Sequence, residues 1–151
     1  MNEHALGVLE YEKVISMLVE RTSFALGSER AARLSPTVDL QAINLDRRRT
    51  TELRATVDAG ERLPLDGARD VRAALARSET RGAVLGCQEL SDIRRTLLAA
   101  GRARSFLSER RERLPELWTL GERLAPADDL CESIGRAVDD DSLEVRDGAS
   151  R

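Results

Sequence analysis

Apolar residues recur at three- and four-residue spacing along almost the whole chain, while alternation of apolar and polar residues is nearly absent. The first period is typical of amphipathic helices and the second of half-buried strands. The pattern predicts helices over about residues 9–21, 24–34 and 40–59, a short segment after Asp70, residues 88–113, a segment opened by Pro115 and a last segment near Asp129. The sequence therefore predicts an all-α fold.

Residues with strong capping preferences indicate where several of these helices begin and end. Asp39 is predicted as the N-cap of the third helix, and Gly60 closes that helix in the left-handed conformation. Asp70 is predicted to cap the short helix that follows. Asp129, with Glu132 three residues later, resembles an acidic capping box for the last helix.

The predicted helix 88–113 is long enough to act as a strut, at about 1.5 Å per residue. Small residues make its middle thin, so we expect another helix to approach closely there; they are Ala99, Ala100, Gly101 and Ala103. Only the tail changes period, because residues 139–142 form a predicted turn and residues 143–146 alternate like a short strand or extended arm. We expect residues 1–151 to form a single, elongated multi-helix domain with long helices and a short extended or hairpin segment near the C-terminus.

Composition and charge exclude several classes of protein. With 41% hydrophobic and 34% charged residues and a net charge of −3, wholesale disorder is not expected. No apolar run approaches the roughly 20 residues that span a bilayer, and the N-terminus has no secretory signal pattern. Cys87 and Cys131 form no close motif, so we interpret both as reduced thiols and small apolar core residues of a cytoplasmic protein without a membrane partner.

The inventory of reactive side chains argues against catalysis in this chain. The single histidine, His4, lies in a terminal segment expected to fray, and the single lysine, Lys13, follows no glycine loop, so neither a zinc pair nor a P-loop can be assembled. The acidic groups 128–129 and 139–141 could bind Mg²⁺, but their positions favour helix caps and turns. We therefore predict no catalytic residue, no cofactor site and no metal site in this chain.

Arginine dominates the basic residues, with 23 of 24 positions. Residues 94–113 carry a net charge of +5 and residues 128–147 a net charge of −6. One hypothesis is a face that contacts nucleic-acid phosphates, and the other is a solvated helix surface with some ion pairs, which we favour. The dispersed aromatic residues offer no stacking platform for single strands. The candidate phosphate contacts are Arg47, Arg48, Arg49, Arg110, Arg111 and Arg113.

The order of short motifs resembles the N-terminal region of the MutS-II family, bacterial MutS paralogues with a C-terminal Smr nuclease domain. The resemblance runs through ALGVLEYEKV at residues 5–14, Leu26-Gly27 leading to Leu34-Ser35-Pro36 and Asp39, LPLDG at 63–67, DVR at 70–72, Glu89-Leu90 with Ile93, and the tail 139–150 with its acidic turn and V-x-D-x-A-S segment. Two segments depart from the family pattern. Ser142-Leu143 stands where a glycine turn is expected, and Gly86-Cys87-Gln88 replaces a Ser/Thr-Pro helix start.

The resemblance implies a fold and a function for a longer, cytoplasmic parent protein. Its N-terminal part would be similar to the core and lever region of mismatch-repair MutS, followed by a clamp, a dimerising P-loop ATPase domain that takes ATP and Mg²⁺, and the Smr nuclease. Family roles include suppression of recombination through branched DNA and rescue of collided ribosomes. We expect the present chain to be an N-terminal fragment with a structural and transmitting role. The alternatives are direct nucleic-acid contact through the arginine-rich faces, and self-association as a homodimer or protein-interaction module.

Overall fold

The structure, a computed structural model, describes residues 3–140 and 142–146 and confirms an all-α fold. Its helices are α1 (Glu3–Val8), α2 (Tyr11–Val19), α3 (Ala25–Ala32), α4 (Leu40–Asp58), α5 (Arg72–Ser78), α6 (Cys87–Glu109), α7 (Pro115–Gly121) and α8 (Asp128–Ala137). No sheet occurs in this part of the chain. No helix among the described residues combines the length and the apolar character that crossing a bilayer requires.

The first helix, α1, is absent from the sequence prediction. His4 lies within α1 with its side chain exposed, so the terminal segment is helical where fraying was expected. A helix of six residues is too short to show a periodic pattern. Glu10 then adopts a left-handed conformation (φ 49°, ψ 38°) and separates α1 from α2, so the predicted start at residue 9 is two residues early.

Local capping signals are confirmed at both ends of α4. The Asp39 carboxylate accepts hydrogen bonds from the backbone N–H groups of Gln41 (2.9 Å) and Ala42 (3.2 Å). Gly60 has φ +76°, a conformation that glycine adopts without steric penalty, and its N–H donates to the carbonyl of Val57 at 2.9 Å. Helix α4 is therefore delimited by residues close to it in sequence.

The caps of the later helices differ from prediction. Asp70 accepts a hydrogen bond from the N–H of Arg72 at 3.1 Å, but Val71 occupies the N-cap position of α5, so Asp70 contacts the start of this helix from one residue further out. The predicted capping box of Asp129 is wrong, because α8 begins at Asp128 and no side chain caps it. Asp129 lies inside the first turn, where the helix dipole also favours a carboxylate, and Glu132 forms an ion pair with Arg136 at 3.0 Å instead.

The long predicted helix ends four residues early. Helix α6 stops at Glu109, and the following residues turn back so that the N–H of Leu114 donates to the carbonyl of Arg110 at 2.8 Å. This turn buries Leu114, which is 1% exposed, directly before Pro115. At the other end Gly86 forms half of a capping box, its N–H donating to Glu89 Oε2 at 2.9 Å, which replaces the expected Ser/Thr-Pro start.

The chain consists of two compact units, Met1–Ile43 and Asn44–Arg151. In the first unit α2 packs against α1 and α3. In the second unit α6 packs against α7 and α8. The expectation of a single domain over residues 1–151 stays a prediction.

The core of the second unit consists of two apolar clusters along α6. Ala99 and Ala103, at 1% and 2% exposure, allow close packing along the buried face of this helix, whereas Gly101 lies on its exposed face. The clusters consist of Ala74, Ile93 and Ile134 in one case and Leu107, Leu114 and Leu117 in the other.

The predicted extended segment near the C-terminus is confirmed as a small hairpin. Val138 and Val145 form an antiparallel bridge, and the N–H of Arg146 donates to the carbonyl of Ala137 at 2.9 Å. Leu143 takes the left-handed conformation (φ 57°) at the place where the family pattern led us to expect a glycine turn. Asp141 and residues 147–150 of the V-x-D-x-A-S segment lie outside the described residues.

Candidate nucleic-acid interface

The six candidate arginines lie on two segments of the second unit. Arg47, Arg48 and Arg49 are in the middle of α4, and Arg110, Arg111 and Arg113 lie in the turn after α6. Both segments adjoin the start of α7, because Arg48 contacts Glu116 in the first turn of α7 and the turn after α6 leads directly into that helix. The structure thus brings parts of both segments to one end of α7.

Arg110 is held by a carboxylate that sequence reasoning did not single out. Its Nε and Nη2 atoms donate to Glu61 Oε2 and Oε1 at 3.2 and 3.3 Å, and its guanidinium lies 3.9 Å from the centre of the Phe106 ring. The hydrogen bond to Glu61 raises the pKa of Arg110. The hydrogen bonds from Arg110 and then from Arg113 lower the pKa of Glu61. The arrangement is a two-pronged ion pair stacked on an aromatic face.

Arg113 binds the same carboxylate. Its Nη2 atom donates to Glu61 Oε2, so Glu61 accepts hydrogen bonds from two guanidinium groups. The side chain of Arg113 is half exposed, whereas that of Arg110 is three-quarters buried. Both guanidinium groups therefore have part of their charge compensated by Glu61.

On α4, two of the three arginines are also engaged. Arg48 Nε donates to Glu116 Oε1 at 2.5 Å. Arg49 Nη2 donates to Thr119 Oγ1 at 3.4 Å, and its Nε atom is buried without a hydrogen-bond partner. These contacts join α4 to α7, so the side chains stabilise helix packing.

Only two of the six candidates have guanidinium groups without a partner among residues 3–140 and 142–146. Arg47 and Arg111 are both exposed, and no side-chain hydrogen bond or ion pair holds either one in that part of the chain. They are the candidates that geometry leaves available to an anion.

Two glutamates missed by sequence reasoning organise this end of α7. Glu52 of α4 accepts hydrogen bonds from the backbone N–H groups of Glu116 (3.0 Å) and Leu117 (2.8 Å), and so caps a helix more than sixty residues away. Leu114, the residue before α7, has no side-chain oxygen to do this. The available sequence signal was that α7 is predicted to start at Pro115 without a capping residue of its own, so its free N–H groups need a distant acceptor. We call Glu52 and Glu61, with the groups they bind, the carboxylate brace.

One aspartate of the acidic tail pairs with an arginine of α6. Asp140 forms an ion pair with Arg94 and accepts a hydrogen bond from Ser91 Oγ at 2.8 Å. Asp139 accepts a hydrogen bond from the N–H of Ser142 at 3.0 Å, as a turn residue does, and forms an ion pair with Arg146. The opposite charges of residues 94–113 and 128–147 therefore meet in part within the second unit. No group of three metal-ligating residues occurs among the described residues.

The cysteines occupy different environments. Cys131 is buried in α8, and burial raises the pKa of its thiol, which confirms its interpretation as a core residue. Cys87 is half-buried at the first position of α6. Both are free thiols.

Comparisons with known proteins match nearly the whole chain to proteins named Endonuclease MutS2. The protein of Symbiobacterium thermophilum is 37% identical over 150 residues, which are 99% of this chain and 18% of the relative. Those of a Geobacillus species and Brevibacillus brevis are 34% and 33% identical over 153 residues, again 99% of this chain and 19% of each relative. The matched part is the N-terminal 19% or so of these relatives, so the chain spans about a fifth of their length. No protein-family model matches the chain.

Proposed function

The chain belongs to the MutS2 family as an N-terminal region of such a protein, and we propose that it has a structural and transmitting role rather than a catalytic or phosphate-binding one. The observation that carries the proposal is the engagement of four of the six candidate arginines by side chains of the same unit. A guanidinium that is bound to a carboxylate has part of its charge compensated and fewer of its five N–H donors left for a phosphate.

The carboxylate brace supports the transmitting part of this role. Glu52 connects α4 to the first turn of α7, and Glu61 connects the segment after α4 to the turn after α6. Networks of packed helices and polar contacts couple distant sites where they have two discrete arrangements. We infer that the second unit passes conformational changes between neighbouring parts of the parent protein.

For the parent protein we propose endonuclease activity, which is the activity that the names of its relatives state. The family resemblance supports ATP and Mg²⁺ in a dimerising ATPase domain, a clamp, a cytoplasmic location, and action on branched DNA that suppresses recombination. Rescue of collided ribosomes is a second role supported in the same way. No P-loop occurs in this sequence, which supports placing the ATP-binding groups of the parent in another part of that protein.

The transmitting role is tested in the complete natural polypeptide that carries this sequence. Glu61→Gln removes the charge that holds Arg110 and Arg113, so we expect ATP to stimulate branched-DNA cleavage less than in the wild type. Glu122→Gln makes the same charge change at an exposed residue and serves as the control. Equal stimulation in both variants would contradict transmission through the brace. ATP turnover by the purified 151-residue chain would contradict the non-catalytic role if a substitution within this chain abolishes it, because a contaminating enzyme would not respond to that substitution.

Direct nucleic-acid contact is the second candidate function, because Arg47 and Arg111 are exposed and without a partner in the described part of the chain. Fluorescence anisotropy with branched DNA, duplex DNA and ribosomal RNA separates the two functions. Phosphate contact predicts affinity that falls steeply with salt, and a smaller salt slope in Arg47→Glu and Arg111→Glu. Arg136→Glu makes the same charge reversal at an exposed arginine of α8 that pairs with Glu132, and it serves as the control. We expect all three variants to behave alike.

A further inference from the structure

Helix α2 has an apolar face that the described residues cover only about half. Val14, Met17 and Leu18 are 56%, 49% and 42% exposed. Their spacing of i, i+3 and i+4 places them on one side of the helix. We call these three residues the α2 seam. No residue of α2 is buried, although the helix packs against α1 and α3.

The unit that contains α2 lacks a core of its own. Of its described residues, only Ala31 is buried. Chains of about 40 residues bury too little surface to be stable without further support. The unit is nevertheless ordered by specific contacts, since Tyr11 donates to the carbonyl of Leu34 at 3.2 Å and the hydroxyls of Thr22 and Ser28 lie 2.5 Å apart. An ordered unit with an open apolar side indicates a surface that is covered in the functional protein.

Charge at the α2 seam argues for a protein partner over a nucleic acid. The seam is flanked by both signs of charge, because residues 10–21 contain three glutamates against Lys13 and Arg21. Lys13 is moreover paired with Glu10 at 3.4 Å. A phosphate backbone requires an excess of positive charge. The chemistry that fits is the apolar stripe of another helix.

The length of the relatives supports a helix of the same polypeptide as the partner. Curated relatives extend over about five times the length matched by this chain. A segment tethered in the same polypeptide acts at roughly millimolar effective concentration. A separate copy would therefore need a much higher affinity to compete with it. Resting on the proposed N-terminal role of this region, we propose that the α2 seam is the docking site for an apolar helix from a later part of the same polypeptide.

The proposal is tested by photo-crosslinking in the complete natural polypeptide. A benzophenone amino acid replaces Val14, at the centre of the seam, and in a control protein it replaces Ser16, which points away from the seam and is exposed. A mixture of ¹⁴N- and ¹⁵N-labelled protein is irradiated and the crosslinked peptides are sequenced by mass spectrometry. We expect the probe at position 14 to link to a residue beyond 151 within one isotopic chain, and the probe at 16 to link much less.

Three outcomes would overturn the docking proposal: crosslinks between isotopically different chains, adducts with another macromolecule, or no excess of crosslinking at position 14 over position 16. A second measurement does not depend on a variant. Amide exchange in α2 should be at least about tenfold slower in the complete polypeptide than in the 151-residue chain. Equal exchange rates of the α2 amides in the two proteins would contradict docking. A failure of the proposed structural role is observed in a different experiment, as salt-dependent binding of nucleic acid.

Discussion

The two units show the same helical pattern in sequence and a very different degree of burial. The second unit encloses two apolar clusters and contains Leu114 at 1% exposure. Among the described residues of the first unit Ala31 alone is buried, and apolar residues such as Val8 and Val14 are mostly exposed. Helical periodicity therefore locates an apolar face but does not identify the structure that covers it.

The units also differ in how their polar side chains are held. In the second unit carboxylates bind groups distant in sequence, as Glu61 does with Arg110 and Glu52 with the N–H groups of α7. In the first unit hydroxyls mostly bind carbonyls within four residues, as Ser16 does with Glu12. Long-range polar contacts therefore reinforce the unit that already has a core.

The largest expected effect comes from truncating one leucine in each unit of the 151-residue chain. Leu114→Ala should lower the free energy of unfolding by about 2–5 kcal/mol, because the side chain is fully buried. Leu18→Ala should change it by less than about 1 kcal/mol, since that side chain is 42% exposed. Urea unfolding followed by fluorescence of Trp118, the single tryptophan, measures the second unit, and the single tyrosine, Tyr11, reports on the first.

Comparable losses for the two leucines would mean that the first unit has a core of its own, and the contrast between the units would not hold. A loss in Leu18→Ala that is seen only in the complete natural polypeptide would instead agree with docking on the α2 seam.

How much of the fold could be predicted from the sequence depends on the sequence distance over which each contact acts. Asp39 and Gly60 act on residues within four positions, and both were predicted. Asp129 was predicted wrongly because an aspartate is favoured both at the N-cap and in the first turn, and local sequence does not distinguish the two positions. The left-handed Glu10 carries no such signal at all.

The candidate site was predicted less well than the fold. The arginines were identified by type, but their partners were not, because Glu61 and Arg110 lie 49 positions apart. A run of charge reveals excess basic residues and not which of them will meet a carboxylate after folding. Of the two hypotheses for these residues, ion pairing describes Arg48, Arg110 and Arg113.

Two glycines of the second unit differ in their packing, because one lies in a densely packed region and the other lies on the surface. A Cβ atom at Gly121 would lie 2.9 Å from Leu107 Cδ1 and 3.2 Å from Trp118 Cε3, so Gly121→Ala should destabilise the chain by about 1–3 kcal/mol. A Cβ atom at Gly101 would have no neighbour within 4 Å, and Gly101→Ala in mid-helix should stabilise by about 0.5–1 kcal/mol. Thermal unfolding by circular dichroism measures both, and the same sign in both variants would contradict this packing.

The smallest expected effect concerns pH, and it tests whether the exposed ion pairs of the second unit contribute to its stability. The side-chain hydrogen bond from Arg72 lowers the pKa of Asp70 to about 2 from its ordinary 3.8. Because the folded pKa lies below the unfolded one, this stabilisation is present above about pH 4 and is lost as the pH falls towards 2. Asp70→Asn keeps one oxygen that can accept from the N–H of Arg72, and it removes the charge and the second acceptor, to which Arg72 Nη2 donates.

We therefore expect Asp70→Asn to unfold at a lower urea concentration than the wild type at pH 6, and this difference to become much smaller near pH 2. Asp66→Asn is the matched control, since the side chain of Asp66 is exposed and has no hydrogen bond or ion pair in the described part of the chain. A difference for Asp70→Asn that does not change between pH 6 and pH 2 would show that the pair with Arg72 adds no charge-dependent stability. The second unit would then depend on its apolar clusters and on its partly buried pairs, such as Arg110 with Glu61.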